Sequence, residues 1–219
     1  MGDASPVRSG RGTASGTFRL GRWVTGTTLG ESVGFLVPVT GFAFADAAGL
    51  RGWAAWLLLV AFGAGEGALL GLGQSLALRR GPAEVSVGRW VAATAAAASA
   101  AWALGMLPST LDDAGVGIDW ARPATWVVIG FAGLVLLASI PLAQWPVLAA
   151  SGVPRAWRWV PLGMVAWLVG LPFTFAPSPI VDVGTPAPVV FALFAASGVL
   201  MAVTMAFVTG LGLRRMLRG

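Results

Sequence analysis

Apolar residues gather into six long runs, near 23–45, 53–78, 90–108, 124–148, 157–175 and 187–212, divided by short polar links. Each run approaches the ~20 residues that a helix needs to cross the hydrocarbon core of a bilayer. No alternating apolar–polar stretch marks a credible strand. The pattern predicts an all-α integral membrane protein with six transmembrane helices. Residues 1–21 are polar, rich in Gly and Ser, and lack apolar periodicity. They are predicted to be a flexible tail ahead of a transmembrane domain at 22–219. The longest link, Ser109 to Pro123, is acidic and too short to form a domain.

Charge supplies an orientation. Twelve of the fourteen arginines fall before the first run, between the second and third, between the fourth and fifth, or after the last. Only Arg51 and Arg122 lie on the other side, together with Asp46, Asp112, Asp113, Asp119 and Asp182. The positive-inside rule then puts both termini in the cytoplasm. The net charge of +5 is therefore a topology signal and not a nucleic-acid patch. Every basic residue is arginine, and Ala, Gly and Val abound, which suggests a GC-rich bacterial genome and hence the inner membrane. Ala43-Phe44-Ala45 has the form of a signal-peptide cleavage site. The run before it carries Thr25, Thr27, Thr28, Glu31 and Ser32, so it is expected to remain as a helix.

Two motifs recur. Arg-Trp-Val stands at 22–24, 89–91 and 158–160, each time opening an odd-numbered run. Gln74-Ser-Leu-Ala-Leu-Arg-Arg80 aligns with Thr209-Gly-Leu-Gly-Leu-Arg-Arg215, and Gln144-Trp-Pro-Val-Leu148 keeps the glutamine and the last leucine. The shared order and spacing predict three tandem helical hairpins, at 22–88, 89–157 and 158–219. Whether they close into a ring or lie in a row stays open at this level. Arg22, Trp23, Arg89, Trp90, Arg158 and Trp159 are expected to anchor the helix ends at the lipid headgroups. Gly71-Leu-Gly-Gln74-Ser75 and Ala143-Gln144-Trp145-Pro146-Val147-Leu148 resemble the repeated Gly-x-x-x-Gln-Trp-x-x-Leu hairpins of a group of uncharacterised small polytopic bacterial membrane proteins. Position 75 has Ser in place of Trp, and position 209 has Thr in place of Gln. The resemblance implies a helical membrane fold and no particular activity.

Chemistry concentrates in the first hairpin. Gly26, Gly30 and Gly34 form one small-residue row, and Gly63, Gly67 and Gly71 another. Such rows let helices approach closely in lipid, and the first two helices are expected to pack along them. Glu31 adjoins one row and Glu66 the other, about 12 and 18 Å from the arginine-bearing ends at 1.5 Å per residue. Thr27 and Thr28 share a face with Glu31. A carboxyl group this deep, with every arginine near a helix end, favours its neutral form, and either a proton- or cation-binding role or a structural hydrogen bond follows. Gln74 and Gln144 recur at matching places and are expected to hydrogen-bond between helices.

Several chemistries are excluded or weak. Without His or Cys there is no Ser-His or Cys-His pair, no disulfide and no His-based metal site. No cofactor is implied. Asp112-Asp113 is a carboxylate pair in a solvated link. Three readings remain: a small proton- or cation-linked transporter or channel-like protein, a non-catalytic scaffold or accessory subunit, or an intramembrane lipid-handling protein. The expected partners are the bilayer itself and a membrane-protein partner or second copy.

Overall fold

The computed structural model describes residues 17–79, 85–182 and 184–218, and among them every regular element is helical. In chain order these are α1 (Leu20–Ala47), α2 (Gly52–Leu78), α3 (Val87–Gly105), α4 (Leu107–Asp113), α5 (Pro123–Ala150), α6 (Trp159–Phe175) and α7 (Ala187–Met216). Single 3₁₀ turns, Ala156–Arg158 and Ser178–Ile180, flank α6. The tail expected over 1–21 lies outside the described residues as far as Gly16, and so does Arg80; α1 already begins at Leu20.

Five helices are long and apolar enough to cross a membrane, and α3 with α4 makes a sixth candidate bent by 43°. The bend corrects the third run, read from the sequence as one helix ending near 108. Pro108 occupies the first turn of α4, where its missing N–H and fixed φ suit a helix start but not the interior of a continuing one. The acidic link is thus partly helical, and Asp113 Oδ2 accepts a bond from the Gly52 N–H at 3.2 Å. The turn joining α1 to α2 is tight because Gly49 and Gly52 take left-handed φ of 65° and 54°, open to glycine without a Cβ penalty.

The helices close into a ring. α1 packs on α2, α2 on α3, α3 on α5, α5 on α6, α6 on α7, and α7 returns to α1. The main core cluster joins Trp23, Leu78, Trp90, Leu148, Trp159 and Leu213, so the arginine-bearing helix ends meet at one end of the ring. Outward faces stay apolar and exposed, as at Leu57, Val127, Val128, Phe131, Leu168 and Phe207. A belt of this kind matches hydrocarbon rather than water.

Glycine sets the seams, but not as the sequence pattern predicted. Gly26, Gly30 and Gly34 do face α2, against Gly73, Leu69, Leu70 and Glu66. Gly63, Gly67 and Gly71 instead face α3, against Trp102, Ala98, Ala95, Val91 and Thr94. The α1-facing side of α2 lies further round the helix, where Gly65, Gly73 and Ala77 are the small residues. α2 is therefore pressed closely on two faces.

A methyl group at Gly30 would meet the Leu69 carbonyl oxygen at 2.7 Å, whereas one at Gly130 meets nothing within 4 Å. Gly30→Ala should destabilise the protein by about 1–3 kcal/mol through overpacking. Gly130→Ala should be neutral or slightly stabilising, because alanine is the better helix former by about 1 kcal/mol. Thermal unfolding of both variants in detergent checks the pair; equal melting temperatures would refute the close α1–α2 seam.

Candidate functional site

One end of the ring is sealed by a hydrogen-bonded layer. Trp23, Trp90 and Trp159 are essentially without exposed surface, and their rings meet edgewise or tilted, with centroids 5.8 Å (Trp23–Trp159) and 6.1 Å (Trp90–Trp159) apart. Each indole N–H finds an acceptor on a neighbouring helix. Trp90 donates to Gln74 Oε1 at 3.0 Å, Trp159 to Gln144 Oε1 at 2.9 Å, and Trp23 to Thr209 Oγ1 and the Ala206 carbonyl, both at 3.1 Å. Gln144 Nε2 then donates to Gln74 Oε1 and Thr94 Oγ1, each at 2.9 Å. Thr94 gives its own proton to the Trp90 carbonyl at 2.8 Å, leaving a lone pair for Gln144. Both glutamines join helices, as expected.

The tryptophans do not sit where the sequence put them. Expected at the headgroups, they are interior, and indole N–H groups buried with acceptors in reach are better placed there than in lipid. The adjoining arginines do stay outward, Arg89 and Arg158 exposed and Arg22 half-buried.

Beyond this layer lies a partly open cavity of about 1170 Å³ between the helices. Glu31 and Glu66 line it together with Phe35, Trp102, Trp167 and Phe194. Its walls run to Ser178, Ala187 and Pro188, exposed residues at the end opposite the arginines. The glutamates belong to the α1–α2 seam: a Cβ on Gly34, three residues after Glu31, would lie 3.0 Å from the Glu66 carbonyl oxygen. Glu66 keeps 9% of its surface exposed, and its Oε2 accepts a hydrogen bond from the Trp102 indole of α3. Glu31 has no exposed surface, and among the described residues neither of its carboxyl oxygens has a hydrogen-bond partner. Thr27 Oγ1, Thr28 Oγ1 and Ser32 Oγ are buried and unpartnered as well. Pro38, inside α1 and also on the cavity wall, has no N–H to offer the Gly34 carbonyl.

The structure thus brings Glu31 and Glu66 together on the cavity, leaves Thr27 and Thr28 on α1 outside its lining, and places Gln74 and Gln144 in the sealing layer. Sequence reasoning missed Trp102, Thr94 and Thr209 as partners. Thr94 carried a signal: it stands as far beyond Arg89 as Thr27 stands beyond Arg22. Among the described residues, no group of three or more His, Cys, Asp or Glu is placed to hold a metal ion. No protein-family model, curated protein or solved structure matches the chain.

Gln144 is the member of the layer that bonds to three other side chains. Gln144→Leu leaves the Trp159 N–H without an acceptor and should cost about 1–3 kcal/mol. Leu142→Ala, on an exposed face of the same helix, should cost much less. Denaturation in detergent distinguishes them, and an unchanged stability for Gln144→Leu would refute the role assigned to the layer.

Proposed function

We propose that the chain is a bacterial inner-membrane protein of six spans that works as a proton- or cation-linked transporter, with Glu31 and Glu66 as the site. The observation that carries this reading is a pair of carboxyl groups on one cavity with no arginine among its lining residues, open toward one end and sealed at the other. An ionisable group at membrane depth is expensive to keep and is by default a candidate functional site. A scaffold would be expected to have a dry, filled centre, and the cavity weighs against it.

The arrangement also supports three tandem hairpins. Glu31, Ala98 and Trp167 each stand nine residues past the Arg of an Arg-Trp-Val motif, and all three line the cavity. Glu66, Leu136 and Met201 each stand eight residues before Gln74, Gln144 and Thr209, and all three line it too. The indole bonds follow the same cycle: Trp90 reaches back to the first unit, Trp159 to the second, and Trp23 to the third. On this reading one unit of three carries the carboxyl groups, and the matching places in the others are apolar. The arginine split orients the sealed end toward the cytoplasm. Reporter fusions after Ser151 should then read as cytoplasmic and fusions at Asp113 as external; the reverse pattern overturns the orientation.

Transport is tested in proteoliposomes under imposed proton, sodium and potassium gradients. The purified protein should carry flux above that of empty vesicles, and Glu66→Gln, which keeps shape but cannot ionise, should reduce it to the empty-vesicle level while folding normally. Flux in Glu66→Gln equal to that of the unaltered protein, or no flux under any gradient, refutes the reading.

A further inference from the structure

The geometry points to a binding site for an organic cation with an apolar, aromatic-sized body in the central cavity, the charge held at Glu66 and Glu31. The inference rests on the cavity used in the proposed transport, but it concerns what is bound and not whether it moves. Three observations carry it. The first is size: about 1170 Å³ is beyond the space a single inorganic ion fills and suits a drug-sized molecule, for which pockets run to roughly 300–1,000 Å³. The second is the wall, where Phe35, Phe42, Trp102, Trp167, Phe191 and Phe194 offer ring faces and edges. Aromatic faces attract cations, more strongly when water is excluded. The third is the floor, which is rich in acceptors. Among the described residues both Glu31 oxygens lack a protein partner, and the Trp102 indole is the one side-chain donor on Glu66.

Charge decides the class of ligand. Glu31 and Glu66 are the titratable residues on the cavity, and neither α3, α5, α6 nor α7 contributes an acid or a base to its lining. An anionic ligand would meet acceptors and carboxyl groups without a cation to offset its charge. A neutral apolar ligand would fill the walls and leave the floor unpaired, as it already is. A cation with an apolar body satisfies both. Glu66, which keeps surface toward the cavity, meets the ligand first; Glu31, fully covered, contributes from behind it.

Tetraphenylphosphonium is the probe, with the uncharged tetraphenylmethane analogue and anionic tetraphenylborate as controls of similar shape. Binding to the full chain in detergent is read by titration calorimetry and by quenching of tryptophan fluorescence, since Trp102 and Trp167 line the site. The cation should bind saturably, and the two controls at least about tenfold more weakly. Glu66→Gln should weaken the cation by about tenfold or more and leave the uncharged analogue unaffected. Acidification, which protonates any carboxylate that pairs with the cation, should weaken the cation in the unaltered protein, a readout that needs no variant to fold. Equal affinity for all three probes, no binding of the cation, or binding that ignores both Glu66→Gln and pH overturns the assignment. Cation binding without flux leaves the site standing and removes transport. Proton flux without cation binding does the reverse.

Discussion

Three indole N–H groups at one end of an apolar ring have to be satisfied, and the shape of the molecule depends on how this is done. The three indoles are buried, so a stranded N–H costs about 1–3 kcal/mol. The donors sit on α1, α3 and α6, and the acceptors on α7, α2 and α5. Each bond therefore spans a seam between two helices. The Trp23 bond is the decisive one, because it ties the first helix to the last and closes the ring. Opening any of these seams strands a donor and uncovers a large ring.

Close backbone approach then fixes where the carboxyl groups fall. α2 meets α1 through Gly73 and Leu70 and meets α3 through Gly63, Gly67 and Gly71. Glu66 lies between these two contact lines. Its backbone is held against Gly34 of α1 while its carboxyl group reaches Trp102 of α3. A helix clamped on both sides has little freedom to turn Glu66 toward lipid. Position and orientation thus come from small residues that carry no chemistry of their own.

The spans were legible because hydrophobicity is a local property of each run. The hydrogen-bonding glutamines were legible because an amide in an apolar segment needs a partner. Which partner was not legible. Tryptophan beside arginine at a helix end ordinarily signals an interface, and nothing local to Trp23, Trp90 or Trp159 says that the three converge. The glycine rows announced close packing but not the neighbour, since α2 has small residues around more than half of its circumference. The cavity was least legible of all. It arises because side chains from six helices fail to fill a shared centre, and no single segment records that shortfall.

The layer and the cavity floor differ in how their polar groups are committed. In the layer each indole N–H has an acceptor, and Thr94 and Gln144 are bonded through both donor and acceptor atoms. That layer has no recorded bond to Glu31. Glu66 has a partner in Trp102, so a structural role accounts for one of its oxygens. Glu31, with Thr27, Thr28 and Ser32, has none among the described residues. A helix-locking role requires a partner to lock onto, and Glu31 lacks one among the described residues. On the transport reading, a group entering from the open end passes aromatic walls and meets Glu66, with Glu31 covered behind it and the indole–amide layer beyond. Passage through the ring would require that layer to part, which means breaking inter-helix bonds at the end where the ring is held most tightly. On the transport reading the bonds that shape the fold are therefore also the gate, and the floor's uncommitted acceptors provide the differential interaction by which a ligand could bias it.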